Sequence, residues 1–227
     1  MTTTLITGGN KGLGHETAKR LIALGHEVWI GARDPERGRR AADEVGGRFV
    51  RLDVTDDASV AAAVGAVGQV DVLVNNAGIS GGMVAPADVT ADLMREVFET
   101  NVFGVVRVTR AFLPLLHTSA HPVVVNVTSG LGSMTLATDP SSIASEYQMV
   151  AYSSAKAALN MLTVQYAKAF PAMRINCVDP GFTSTDFNGH RGVQTVEEGA
   201  RAIVQMTLLG PDGHTGGFLD RDGTVPW

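Results

Sequence analysis

Cys177 is the only thiol in this 227-residue chain, so no disulfide can form within it, and a reducing compartment, the cytoplasm, is the expected location. Lysine is equally sparse, with four residues, and the net charge is −5. The basic residues are scattered rather than clustered, which argues against a nucleic-acid groove or a polybasic membrane patch. The same balance offers little to an acidic carrier domain. No apolar run approaches the length of a membrane span. The opening MTTTLITGGNKGLG passes at once into a short apolar run and a glycine loop, leaving no stretch to act as a signal peptide. Asn126-Val127-Thr128 has the spacing of a glycosylation site but lies inside VVVNVTS, which reads as a buried strand.

Metal and hydrolase chemistry are also short of residues. His117 and His121 are four apart, but Pro122 follows and no third ligand is near in sequence. DRDG at 220–223 lacks the rest of a calcium loop and reads as a turn. TSGLG around Ser129 is not a G-x-S-x-G nucleophile elbow. No metal is expected.

What is abundant is apolar sequence, 44% against 18% charged, enough for a well-buried core. Its pattern alternates. TTLIT, EVWIGAR, RFVRLDV, VDVLVNN, PVVVNVTS, RINCVDPG and GGFLD read as seven strands. Between them run helical patterns: HETAKRLIALG, PERGRRAADEV, about 56–67, a long one over about 91–116 ending near Pro114, about 150–170, and VEEGARAIVQMTL. Continuously apolar strands suit a parallel sheet buried on both faces. The expected fold is α/β, a single doubly wound Rossmann-type domain over 1–227, with a cofactor half over about 1–120 and a catalytic and substrate half over about 121–227.

Two patterns carry chemistry. TGGNKGLG puts Gly8, Gly12 and Gly14 between the first strand and the first helix, where bare backbone can approach a phosphate at a helix N-terminus. AYSSAKAALN puts Tyr152 and Lys156 four residues apart, one turn along a helix and on one face. Tyr147 and Tyr166 are followed at the same spacing by Ala151 and Phe170, so only Tyr152 has a lysine. A free phenol ionises near pH 10, too high for ready proton exchange at neutrality (about 10). A cation at ~4 Å is worth ~4 kcal/mol at an effective dielectric near 20, which corresponds to a downward shift of roughly three units. Taken alone, the pair could be an acid/base unit or a core phenol beside a snorkelling lysine.

TGGNKGLG, NNAG (75–78), NVTS (126–129), YSSAK (152–156) and DPG (179–181) occur in the order of the short-chain dehydrogenase/reductase signature, and over residues 4–186 the chain resembles that family. Together with GARD, the first motif is most similar to the NADPH-dependent carbonyl reductases. The resemblance implies that Ser129 hydrogen-bonds a substrate carbonyl oxygen, that Tyr152 donates the proton as hydride arrives, and that Lys156 holds the nicotinamide ribose and lowers the tyrosine pKa. It implies that Asn101, in ETNVFG, anchors a proton-relay water. It further implies that Asp53 contacts adenine and that Asn75, Ala77 and Gly78 line the ribose. Asn10, Lys11 and Leu13 in the glycine loop, Val54 beside Asp53, and Pro180, Gly181, Thr183 and Thr185 after the sixth strand complete the cofactor contacts it suggests.

At the end of the second strand an NAD site usually carries an acid for the ribose 2′-hydroxyl. Here Gly31-Ala32-Arg33 offers a cation that could stack on adenine or fork onto a 2′-phosphate, and Lys11 could supply a second charge. Asp34 follows at once and weakens the case unless it only orients Arg33. NADP(H) is therefore expected over NAD(H).

Ser129 and Tyr152 are separated by 22 residues, and the excess, LATDPSSIASEYQ, reads as a loop inserted beside the site. Met134, Leu136, Ile143 and Met149, with Phe182 and Phe187, are candidate walls of an apolar pocket for a small-molecule ketone, aldehyde or alcohol. The helix from Val150 to Phe170 is apolar on nearly all sides, so either a second copy or the folded-back insertion has to cover it, giving a homodimer or a monomer. The rival functions are a non-catalytic NADP(H)-binding redox sensor and an epimerase or dehydratase. The first has no use for a proton donor, and the second usually carries a larger substrate domain.

Overall fold

Leu5 and Ile6 are neighbours in the first strand, both fully buried, and they face opposite ways. That alternation organises the molecule, whose computed structural model describes all 227 residues. Seven strands, β1 (Thr3–Thr7), β2 (Glu27–Ala32), β3 (Arg48–Arg51), β4 (Val72–Asn75), β5 (Val123–Val127), β6 (Arg174–Val178) and β7 (Phe218–Leu219), form one sheet in the order β3-β2-β1-β4-β5-β6-β7. Every neighbouring pair is parallel. Ile6, Ile30, Val74 and Val125 pack on α1 (Gly12–Ala23), α2 (Pro35–Val45) and α8 (Val196–Thr207). Leu5, Leu73, Val124 and Ile175 pack on the other face against α3 (Asp57–Val67), α5 (Gly104–Leu116) and α7 (Val150–Ala169). No helix is long and apolar enough to cross a membrane.

Strand order reverses between β1 and β4, so the crossovers leave in opposite directions and open a crevice at the carboxyl ends of the strands. Local signals set the helices around it. Asp34 caps α2 by accepting from the amides of Glu36 and Arg37, both at 3.0 Å, with Pro35 at the first helical position. Thr195 and Glu198 close a capping box on α8.

Two expectations change. The long helical pattern is broken into α4 (Ala91–Phe98), a π-helical segment Glu99–Phe103, and α5. Its end at Leu116 is as expected, with Pro114 inside the last turn of α5. Pro114 and Arg110 both lie on the exposed side, so the carbonyl that loses its amide partner faces water. The segment between Ser129 and Tyr152 is not an open loop: it holds α6 (Met134–Thr138) and a 3-10 turn at Ile143–Glu146, capped by Ser133 and Ser142. Ser133 Oγ donates to Pro226 O at 2.7 Å and the Thr135 amide to Trp227 O at 2.9 Å, fastening the segment to the chain's last residues. It leaves Phe103 and Met161, on the α4–α7 side, 50% and 59% exposed.

Candidate active site

The crevice is a cleft of about 1190 Å³, larger than the roughly 300–1,000 Å³ that accommodates one drug-sized ligand. One end is built by the turn from β1 into α1. Gly8 has φ +63°, and a Cβ there would lie 2.9 Å from Ala77 Cα, so only glycine lets the two backbones approach. Lys11 is the N-cap of α1 but its side chain caps nothing, and the first turn holds no acid. The first amides of α1 therefore remain free to receive an anion. Gly8, Asn10, Lys11, Gly12 and Leu13 all line the cleft.

Arg33, Asp53 and Val54 line the same end. Arg33 is exposed and makes no ion pair, so its guanidinium is uncommitted. Asp34 is not a cleft residue: its carboxylate is engaged in capping α2 rather than in orienting Arg33, which removes the acid that complicated the cofactor choice. Burial works against the Asp53 carboxylate. The Thr55 amide and hydroxyl and the charges of Arg33 and Arg51 nevertheless hold it below the usual carboxylate range. Lys11 is already engaged, its Nζ 3.1 Å from Asp186 Oδ2 across the cleft mouth.

Three of the expected catalytic and cofactor residues lie elsewhere. Asn75 does not reach the cleft. It is 3% exposed and its Nδ2 donates to Asn126 Oδ1 at 2.8 Å and Thr109 Oγ1 at 3.2 Å, because the last position of β4 points into the sheet–α5 layer. The next residue, Asn76, turns outward, lines the cleft, and donates to Thr7 O and Gly8 O, holding the glycine turn. Strand alternation past Val74 was the signal that could have chosen between them. Gly14 lies behind the cleft, where a Cβ would meet Asn76 Nδ2 at 2.5 Å. Asn101 sits under the wall in the π-helical segment, 1% exposed, with its side chain clamped to the amide and carbonyl of Ile79, both at 2.8 Å. Helices often carry such π turns where function demands a displaced side chain. Here it brings an amide against the loop whose neighbour, Gly78, does line the cleft.

At the other end, Ser129 follows β5 and starts the turn Gly130–Gly132, its Oγ accepting from the Leu131 amide at 3.2 Å. Gly132 permits this turn to lie on α7: a Cβ would stand 2.8 Å from Lys156 Cβ. Tyr152 and Lys156 project from α7 into the same cleft and are 8% and 5% exposed. Lys156 Nζ donates to Val127 O at 2.7 Å and stands 5.5 Å from the centre of the Tyr152 ring. Pro180, Gly181, Thr183 and Thr185 line the segment after β6.

The electrostatics differ from those expected of the isolated pair. Burial pushes the Tyr152 phenol up, Asp179 adds to this, and hydrogen bonding by Ser129 opposes it. Burial lowers the Lys156 ammonium to about 8, against the pull of Cys177 and Asp179. The expected lowering of the phenol by Lys156 is absent, because both groups are desolvated and the ammonium donates to Val127 O.

Leu136, Ile143, Met149, Phe182 and Phe187 line the cleft near Tyr152. Met134 does not; it points to solvent, 74% exposed. Tyr147 joins the wall, its ring 6.0 Å from that of Phe182, and Phe187 stands 5.5 Å from Tyr152.

Comparison with known proteins gives this geometry a context. The chain is 37% identical to the short-chain dehydrogenase anuI of Penicillium roqueforti, with 97% of this chain and 94% of that protein covered. It is 32% identical to the (+)-neomenthol dehydrogenase of Capsicum annuum, over 96% and 95% of the two chains. The NADPH-bound carbonyl reductase from chicken fatty liver superposes with a TM-score of 0.89 at 28% identity, covering 100% of this chain and 99% of that one. Salutaridine reductase from Papaver somniferum gives 0.85 at 28%, over 96% and 99%. The family model for short chain dehydrogenases matches residues 2–195, and the chain belongs to that family of oxidoreductases.

Proposed function

We propose that this protein is an NADPH-dependent carbonyl reductase, reversible as an alcohol dehydrogenase, acting on a neutral apolar ketone or aldehyde. The observation that carries the reading is the union, in one cleft, of uncapped α1 amides with a free Arg33 at one end and Ser129, Tyr152 and Lys156 at the other. Relatives named as carbonyl and salutaridine reductases support it.

A nicotinamide dinucleotide would be held by the α1 amides, Asn76 and Lys156, with Arg33 at a 2′-phosphate, and it would supply hydride. The chain supplies the remainder. The Ser129 and Tyr152 hydroxyls bracket the place for a carbonyl oxygen, and Tyr152 is the proton source as charge develops there. Burial keeps that phenol protonated until the oxygen needs it. The walls from Ile143, Met149 and Phe182 are apolar and exclude water.

Consumption of NADPH against NADH, with a panel of cyclic and aryl ketones and aldehydes, tests the reading. Turnover with NADPH is expected; tight NADPH binding with no carbonyl reduced would overturn it in favour of a sensor. Replacing Arg33 by Ala is expected to raise the KM for NADPH by about tenfold or more, as loss of a charged hydrogen bond does, and to leave that for NADH nearly unchanged. The lowered lysine sets a sign for pH: its charge is lost as pH rises through about 8. The kcat/KM for NADPH, which reports the free enzyme, is expected to be level below about 8 and to fall above it.

The exposed Phe103 and Met161 are the place a second copy would cover in a homodimer, and sedimentation of the purified protein separates that from a monomer.

A further inference from the structure

Asparagine is a poor residue for the middle of a helix, because its side chain competes for backbone partners. Asn160 nevertheless sits near the centre of α7, buried, one turn beyond Lys156 and two beyond Tyr152, and the proposed reaction gives it no part. Its side chain bonds outside its own helix. Oδ1 accepts from the Thr128 hydroxyl at 2.7 Å, and Nδ2 donates to Gly132 O at 3.1 Å. Thr128 immediately precedes Ser129, and Gly132 ends the turn that Ser129 starts. The two ends of one amide therefore grip the chain on either side of the serine.

Ser129 moves with that turn. Its carbonyl accepts from the Gly132 amide at 2.9 Å and its Oγ from the Leu131 amide at 3.2 Å. Before the turn, α7 meets the end of β5 residue by residue. Asn126 Nδ2 donates to Thr163 Oγ1 at 2.8 Å, and Lys156 Nζ to Val127 O at 2.7 Å. Asn160 continues this seam past the last residue of β5 and into the turn, which lies outside the sheet. Asn160, Thr128 and Gly132 are all buried, so losing one partner leaves a buried polar group unpaired.

We propose that Asn160 is a positioning residue of the active site: by holding Thr128 and Gly132 on α7, it sets where the Ser129 hydroxyl stands relative to Tyr152 and Lys156. The serine arrives from the sheet and the other two from a helix, and a misplacement of about 1 Å between reacting groups can cost about 10²-fold in rate. The role in turnover rests on the reductase reading; the anchoring of the turn does not.

The test is Asn160→Leu, which keeps the bulk and removes both polar ends. Fluorescence titration with NADPH counts competent sites, so kcat is taken per site and a loss of folded protein does not enter it. With an aryl ketone that the unaltered protein reduces, kcat per site is expected to fall about 10–100-fold while the Kd for NADPH changes by less than about twofold. An unchanged kcat per site overturns the proposal. So does NADPH affinity lost in step with rate, which a general loosening of α7 would give. Thr128→Val removes only the donor to Asn160 Oδ1, and its smaller fall in kcat is expected not to add to that of Asn160→Leu; full additivity overturns the proposal. If Asn160→Leu does not fold, Thr128→Val alone decides by the same split between kcat and Kd.

Hydrogen exchange supplies a readout without turnover. The Gly132 amide is expected to exchange about tenfold faster or more in Asn160→Leu, with the His15 amide of α1 unchanged, and unchanged Gly132 exchange overturns the anchoring. Should neither variant fold, the unaltered protein decides: slow exchange of an Asn160 side-chain amide hydrogen is expected, and exchange at the rate of an exposed amide overturns the proposal. If exchange responds as expected but the unaltered protein reduces no carbonyl, only the reductase reading is lost.

Discussion

Replacing Tyr152 by Phe is expected to lower kcat by about 10²–10⁴-fold, the range a positioned general acid contributes, while NADPH still binds. The substitution removes one oxygen and nothing else. Tyr152 is 8% exposed and its ring packs 5.5 Å from Phe187, so the phenylalanine ring keeps the same packing and α7 keeps its seat. Lys156 keeps its bond to Val127 O, so the lysine is undisturbed. What disappears is the hydroxyl that the proposed reaction uses as its proton source. Single-turnover rates together with NADPH fluorescence titration separate the two effects. Binding lost along with rate would mean that the phenol holds cofactor rather than delivers a proton. Retained turnover would remove Tyr152 from the mechanism.

The second large effect is on stability. Phe112→Ala is expected to cost about 3–5 kcal/mol, the usual range for deleting a fully buried phenylalanine. Phe112 is 0% exposed on α5, in the cluster with Leu5, Leu73, Leu116, Val124 and Ile175. Four of those come from strands, and Leu5, Leu73 and Val124 cannot collapse inward because their strands have parallel partners on both sides. The cavity therefore stays open, and that is where the cavity term is largest. For a chain of this size the loss corresponds to a fall in Tm of about 6–20 °C. Scanning calorimetry reads it directly, and a change within about 0.5 kcal/mol, the level of an ordinary surface substitution, would show that the layer repacks.

The pairing of Tyr152 with Lys156 was legible in the sequence because a helix carries side chains four residues apart onto one face, and no tertiary information is needed to see it. The glycine turn before α1, the seven parallel strands and the two-sided core were legible for the same kind of reason. Glycine at a tight turn, and continuous apolar runs in strands buried on both faces, are local consequences of geometry. Asp34 could be seen in the sequence, but its role could not. Whether that carboxylate met the cofactor or a helix end depended on where the chain started α2, and the cap settled it.

Other features depended on residues far apart in the chain. Asn75 and Asn76 are adjacent and chemically identical; strand alternation parts them, but that one side meets Thr109 and Asn126 and the other the cleft is set by partners far along the chain. The π-helical segment at Asn101 depends on a partner, Ile79, 22 residues earlier. Asp179 Oδ2 lies against Gly130 because β5 and β6 are side by side, although 48 residues separate the two in the sequence. The field around Tyr152 was misjudged from sequence for the same reason. Spacing places a lysine near a phenol, but burial and a carboxylate brought in by the neighbouring strand decide which way the proton equilibrium leans. What the chain determined by itself was its periodicities, hence its elements, its fold and its pair of catalytic candidates. Which polar groups meet, and in how dry a place, was decided only when the sheet closed around them.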